Sequence, residues 1–336
     1  MAVSAAIYGL EGRVLSDKER AFFRDVEPWG FILFARNCES PAQIRHLTDE
    51  LRRLSGRADT PILIDQEGGR VQRLKPPHWR AAPPAAVFGA LNARDTAKGH
   101  EALRLNVGLI GAELAALGVN VDCLPVLDVP QEGAHDIIGD RAFAREADRV
   151  AELGRVACEA LMEQGVLPVI KHIPGHGRAL ADSHLDLPVV DAPRADLEAI
   201  DFAPFRALRD MPLAMTAHVV YTAIDKDNCA TLSPVVIADI IRGVIGFDGL
   251  LMSDDLSMKA LKGTFGARTT AALAAGCDVV LHCNGDMEEM MAIAGAAPPL
   301  SGVAAVRADA ALARLKTPAP FDVADAQARL QTLMTA

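Results

Sequence analysis

Eight short apolar runs, most of them followed by a helical pattern, dominate the chain and leave few folds open. They cover residues 5–10, 30–35, 61–64, 119–129, 166–170, 213–216, 250–252 and 279–282. The runs are continuously apolar, the pattern of parallel strands covered on both faces. Stretches at 42–54, 97–117, 145–164, 197–209, 234–243 and 269–275 repeat apolar residues at helical spacing. Ser40-Pro41 marks one helix start, and Gly165 and Gly276 mark two ends. Two terminal helical patterns follow at 303–315 and 324–334, whereas 75–92, rich in Pro and Ala, reads as loop. Alternating strands and helices mean an α/β protein. Eight units in 336 residues favour a (β/α)8 TIM barrel over a doubly wound sheet. Gly68-Gly69-Arg70 after the third run is too short for a dinucleotide loop. No repeat, low-complexity tract or linker divides the chain, so residues 1–336 read as a single domain.

Charge narrows the partners. Acidic residues outnumber basic ones 44 to 34, a net charge of −10. Such a surface repels nucleic-acid backbones and anionic lipid, so a small-molecule substrate is expected, with no nucleic acid and no membrane partner. Half of the residues are hydrophobic, enough for a sizeable core. The six cysteines contain no C-x-x-C pair and read as buried, reduced thiols. The first ten residues lack a basic start and a long apolar core, and no run approaches the ~18 residues of a membrane helix. A cytoplasmic monomer is expected.

The runs end on chemistry. Val166–Ile170 stops at Lys171 and His172, and Pro174, Gly175 and Gly177 then forbid regular structure. That loop holds His176, Asp182, His184 and Asp186. In a (β/α)8 barrel the active site gathers at the C-terminal ends of the strands. The third run delivers Asp65, Glu67, Arg70 and Arg73, and the fourth Asp128 and Arg141. The sixth delivers His218, and the seventh Asp254 and Asp255. Each has a plainer reading. Asp65 can be an ion-pair partner, Arg141 a solvated loop residue, His176 a shaper of its loop, and one of Asp254 and Asp255 a helix cap. A charge at Lys171, directly after a buried run, is costly unless paired or used.

Lys171-His172-Ile173-Pro174-Gly175-His176-Gly177, followed by Asp182-Ser183-His184, resembles the signature of glycoside hydrolase family 3, and more narrowly its β-N-acetylglucosaminidase branch. Three further segments agree and follow the family's order: residues 64–73, Arg141-Ala142-Phe143, and residues 253–258. Ile173 stands where phenylalanine is expected, an apolar-for-apolar change. The resemblance implies Asp254 as the nucleophile and His184 as the general acid/base, oriented by Asp182. It implies Asp65, Arg73, Arg141, Lys171 and His172 as the residues that bind the terminal sugar. It further implies no metal or organic cofactor, and as substrate a GlcNAc glycoside or muropeptide, GlcNAc linked to 1,6-anhydro-MurNAc, in cell-wall recycling.

The residues suit that chemistry. A histidine, with an unperturbed pKa of ~6.5, can give and take a proton near neutral pH. Asp182, two residues earlier, can accept from one ring nitrogen and hold the tautomer. An ionised Asp254 can attack the anomeric carbon and form a covalent glycosyl intermediate. Other readings stay open. A metal-dependent hydrolase would use His172, His176, His184, Asp254 and Asp255, though no H-x-H or H-E-x-x-H spacing occurs and Lys171 would repel a cation. A non-catalytic sugar-binding protein, or another glycosidase or phosphorylase of the same family, is also compatible.

Overall fold

The computed structural model describes residues 3–181, 183 and 186–335. Eight parallel strands close a barrel in chain order. They are β1 (Ser4–Gly9), β2 (Pro28–Leu33), β3 (Ile62–Ile64), β4 (Val121–Asp122), β5 (Leu167–Ile173), β6 (Leu213–Thr216), β7 (Leu250–Asp255) and β8 (Val279–His282). Closure is made by β8 on β1, with Ala6 opposite Val280 and Tyr8 opposite His282. The apolar runs become strands because both faces are buried. Ala5 and Ile7 join Ile32, Leu63, Val169, Leu213 and Leu250 in one cluster that fills the barrel. Ala6 and Tyr8, on the alternate face, join the larger layer beneath the helices with Phe31, Ile62, Ile170 and Leu251. Successive residues of a strand face opposite sides, so one run feeds two cores.

Helices start where local chemistry caps them. At Asp17–Val26 the Glu19 amide donates to Ser16 Oγ at 3.2 Å, and the Ser16 amide donates to Glu19 Oε2 at 2.8 Å. Pro41–Ser55 starts at the expected Ser40-Pro41, with the Gln43 amide on Ser40 Oγ at 3.3 Å. The terminal helices are Gly302–Leu312 and Val323–Thr335, the latter packed on Thr96–Ala116.

Four expectations need correcting. The 119–129 run forms a strand only at Val121–Asp122. Pro125 has no amide to give a ladder, and the chain runs on beside β5 with Leu127 donating to the Lys171 carbonyl at 2.7 Å. Residues 75–92 are not all loop, since Ala85–Arg94 is helical. Its prolines, Pro83 and Pro84, precede the first turn, where proline is tolerated. The 197–209 pattern splits into a π-type turn at Leu197–Asp201 and a short helix at Ala203–Ala207, and Val236–Val244 is also wound as a π helix. All six cysteines are free, but Cys38 and Cys283 are only partly buried. No helix among the described residues is long and apolar enough to cross a membrane.

Candidate active site

The segment after β3 builds one wall of the site by alternation. Asp65 and Glu67 are two apart in extended chain and share a side, while Gln66 points away. Gln66 Oε1 accepts the amides of Arg73 and Leu74 at 2.9 and 3.0 Å, and its Nε2 donates to the Leu74 carbonyl at 3.1 Å. Its own amide donates to Asp122 Oδ1 at 2.9 Å. These bonds fold a hairpin of Gln66–Gly68 and Val71–Gln72 over the barrel mouth and return Arg73 to Asp65. Gly68 and Gly69 make its turn at φ 94° and 58°, and a Cβ on Gly68 would lie 2.4 Å from the Pro83 carbonyl oxygen.

Five charged groups from three strand ends then interlock. Lys171 Nζ donates to Asp65 Oδ1 at 2.9 Å and lies 2.7 Å from Glu67 Oε1. Arg73 Nη2 donates to Asp65 Oδ2 at 2.9 Å. Arg141 grips Glu67 with two parallel bonds, Nε to Oε2 and Nη2 to Oε1, both 2.8 Å. Burial by itself would raise both carboxyl pKa values. Lys171 and Arg73 outweigh it at Asp65, which is held well below the usual range. Arg141 and Lys171 outweigh it at Glu67, which is drawn down to about 2. Lys171 answers in kind: burial favours loss of its proton, but Asp65 and Glu67 hold its pKa above the usual lysine value. Such a cluster adds little net stability, because desolvation offsets attraction, but it fixes where each charge points.

A second buried network supports β5. Asp128 is fully buried, and its Oδ2 lies 2.7 Å from His172 Nδ1. Its Oδ1 accepts the His172 and His176 amides at 3.3 and 2.6 Å. An ionised carboxylate only accepts, so His172 carries its proton on Nδ1 and keeps Nε2 for the cleft. Burial would raise the Asp128 pKa, yet His172 beside it brings it down. His176 is pushed down to about 4, by burial first and against the pull of Asp128, so its ring is neutral at pH 7. Its Nε2 lies 3.3 Å from Ser183 Oγ. Gly177 seats the loop, since a Cβ there would fall 2.1 Å from the Val129 carbonyl oxygen.

β7 carries the two adjacent acids. The Asp254 amide donates to Thr216 Oγ1 at 3.2 Å, and Asp254 Oδ1 accepts the Asp255 amide at 2.8 Å. The Asp255 carboxylate is spent on local structure. Oδ1 accepts the amides of Ser257 and Cys283 at 2.9 and 3.2 Å, and Oδ2 accepts Ser257 Oγ at 2.5 Å. Together these groups line a cleft of about 460 Å³, which also holds Phe34. The Arg36 and Arg73 guanidinium groups sit 4.9 and 5.1 Å from that ring's centre.

A cleft of paired cations and carboxylates at the C-terminal mouth of a (β/α)8 barrel can be set against known proteins. The family model for the glycosyl hydrolase family 3 N-terminal domain matches residues 10–317. The chain belongs to glycosyl hydrolase family 3. A β-hexosaminidase of Alkalilimnicola ehrlichii is 42% identical over 289 residues, covering 84% of this chain and 82% of that one. A β-hexosaminidase of Nitrosomonas eutropha is 40% identical over 290 residues, with the same two coverages. Among solved structures, NagZ of Neisseria gonorrhoeae in complex with N-trifluoroacetyl-D-glucosamine superposes with a TM-score of 0.90 at 31% identity, covering 99% of each chain. This family 3 chain is a glycoside hydrolase of the β-N-acetylhexosaminidase kind, like these relatives.

The family 3 cleft collects Asp65, Arg73, Arg141, Lys171, His172 and Asp254, six of the residues marked from sequence. Asp182 and His184 lie outside the described residues, while Ser183 between them is buried and lines the cleft. His218 does not line it. Fully buried, it places Nδ1 2.7 Å from Thr231 Oγ1 and Nε2 3.0 Å from the Asp255 carbonyl. Arg70 lines the cleft but its donors are tied to Asp136, Ile137 and Ile138 in the loop after β4. Glu67 and Asp128, read in sequence only as strand-end acids, are here the partners of the marked cations and histidine. The two-residue spacing of Asp65 and Glu67 was the available signal for the first. Nothing local marks the second as a partner of His172.

Proposed function

We propose that the chain is a retaining exo-β-N-acetylglucosaminidase that removes terminal GlcNAc from peptidoglycan fragments, GlcNAc linked to 1,6-anhydro-MurNAc with or without peptide. The observation that carries this reading is the interlocked Asp65–Lys171–Glu67–Arg141 cluster sharing one cleft with Asp254. Asp65, Arg73, Arg141, Lys171 and His172 hold the hydroxyls of the terminal sugar. Asp254 attacks the anomeric carbon while His184, oriented by Asp182, protonates the glycosidic oxygen, so the aglycone leaves as an alcohol. In the second half, His184 takes a proton from water, whose oxygen attacks the glycosyl–Asp254 ester and releases GlcNAc. Both reacting groups are side chains, so the reaction calls for no metal or organic cofactor. The enzyme acts as a monomer in the cytoplasm.

The deciding test compares kcat/KM on nitrophenyl β-GlcNAc and nitrophenyl β-glucoside. A clear preference for GlcNAc is expected, and equal turnover would overturn the assignment. A fluorinated slow substrate should leave its glycosyl group on Asp254 in the peptide spanning 250–258, and a label on Asp255 would refute the nucleophile. Deleting the gene should accumulate the GlcNAc–anhydro-MurNAc disaccharide in cytosolic extracts. Unchanged pools would leave only a general exo-hexosaminidase.

A further inference from the structure

Among the described residues the Glu67 carboxylate makes its hydrogen bonds and ion pairs with two distant residues, Arg141 and Lys171. Its Oε1 faces both Lys171 Nζ, at 2.7 Å, and Arg141 Nη2, at 2.8 Å, and its Oε2 accepts Arg141 Nε at 2.8 Å. All three side chains are nearly excluded from solvent. The donor inventory shows what remains for a ligand. An ammonium has three N–H donors and a guanidinium five. Among the described residues Lys171 donates one to Asp65 and is ion-paired with Glu67 at 2.7 Å. Among the described residues Arg141 spends two on Glu67 and one on the Ile137 carbonyl at 3.2 Å, and keeps two. Without Glu67 the Arg141 fork loses its only carboxylate among the described residues, and Lys171 keeps Asp65 alone.

We propose that Glu67 is a positioning residue for the reaction: it holds Arg141 and Lys171 so that the unspent donors of Arg141 and the ammonium of Lys171 face the cleft. This rests on the reading that those two cations hold the terminal sugar. The charged and titratable groups around Lys171 come from every neighbouring element. They are Asp65, Glu67 and Arg73 after β3, Asp122 and Cys123 at β4, Arg141 from the next loop, His172 on β5 and Asp254 across the cleft on β7. Asp65 and Glu67 are the two anions that raise its proton affinity, whereas burial and Arg141 lower it. Glutamine at 67 keeps the shape but sets an NH2 donor against the N–H groups of the two cations. The ammonium of Lys171 then shares a buried space with Arg73 and Arg141 and one facing carboxylate.

The test uses Glu67→Gln and Glu67→Asp in the full chain. For Glu67→Gln, kcat/KM on nitrophenyl β-GlcNAc should fall about 100-fold at pH 7, as misplaced binding groups produce. The loss should appear in both KM and kcat of the folded enzyme with the melting temperature nearly unchanged, a pattern that loss of packing alone does not produce. Glu67→Asp keeps the charge but is one methylene short, so KM should rise while kcat stays close to wild type. Lysine-labelled NMR needs no turnover and should show the Lys171 signal displaced in Glu67→Gln but close to wild type in Glu67→Asp. A Glu67→Gln loss that only follows the lost folded fraction, with an unchanged Lys171 signal, would reduce Glu67 to a structural role and overturn the proposal. A wild-type-like Glu67→Asp would do so even if Glu67→Gln failed to fold. Wild-type turnover, measured beside the variants, judges the sugar reading separately.

Discussion

The charged mouth of the barrel and the strand layer just beneath it each bury a carboxylate, and the two end in opposite protonation states. Glu67, at the mouth, is 7% exposed, and Asp122, whose register partner is Ile64 on β3, is 0% exposed. Burial pushes both pKa values up. Glu67 is gripped by Arg141 and Lys171 and falls to about 2. Asp122 receives the Gln66 amide on Oδ1, and its Oδ2 has no hydrogen-bond partner among the described residues. It rises to about 8 and is neutral at pH 7. Equal depth therefore does not set ionisation; a cation in contact does. The neutral acid matters to the site above it. With Asp122 uncharged, Lys171, Arg73 and Arg141 outnumber Asp65 and Glu67 by three to two, so this five-group cluster carries one net positive charge in the cleft it shares with Asp254.

The contrast can be broken from either side. The largest effect belongs to the mouth: Asp254→Ala should lower kcat by roughly 10⁴-fold or more, as loss of a covalent nucleophile does, with the melting temperature nearly unchanged. A large drop in melting temperature with activity retained per folded molecule would invert the picture. Below the mouth the readouts exchange. Leu250→Ala, on β7 and 0% exposed, should cost about 2–5 kcal/mol in denaturant unfolding while kcat of the folded fraction stays close to wild type.

Asp122→Asn separates the layers by pH. The folded pKa of Asp122, about 8, exceeds the ordinary value of 3.8, so the folded state keeps a proton that the unfolded state has released across that window. Wild-type stability should therefore decline from this group as pH rises from about 4 to about 8. Asparagine removes that loss and should stabilise the protein by several kcal/mol at pH 8, with little change at pH 4. Glu67 has the reverse sign. Its folded value is depressed, so its contribution is present above about 4.5 and is lost as pH falls through about 2. An identical pH–stability curve for Asp122→Asn and wild type would show that Asp122 ionises freely. The smallest effect is expected at Asp255→Asn. Its carboxylate serves Ser257 and the Cys283 amide, so stability should change by about 1 kcal/mol and kcat/KM by less than about tenfold. A loss as large as that of Asp254→Ala would move the nucleophile.

Local sequence determined a good deal. Continuous apolar runs bounded by Gly, Pro and polar residues are strands buried on both faces, and eight of them with intervening helices leave little besides a closed parallel barrel. The rule that such barrels gather polar groups at strand ends then picked out Asp65, Lys171, His172 and Asp254 from residue order alone. Tertiary structure decided what each of them does, because its partner lies far away in the chain. Glu67 meets Arg141 across 74 residues, Lys171 meets Asp65 across 106, and Asp128 meets His172 across 44. No window of sequence contains both halves of such a pair. His218 shows the converse: it follows a strand end as Asp65 does, yet Thr231 and the Asp255 backbone absorb both its nitrogens below the mouth. Periodicity reports which faces are buried, and burial is a property of one chain segment. Ionisation, aim and availability belong to contacts, and those exist only once the barrel has closed.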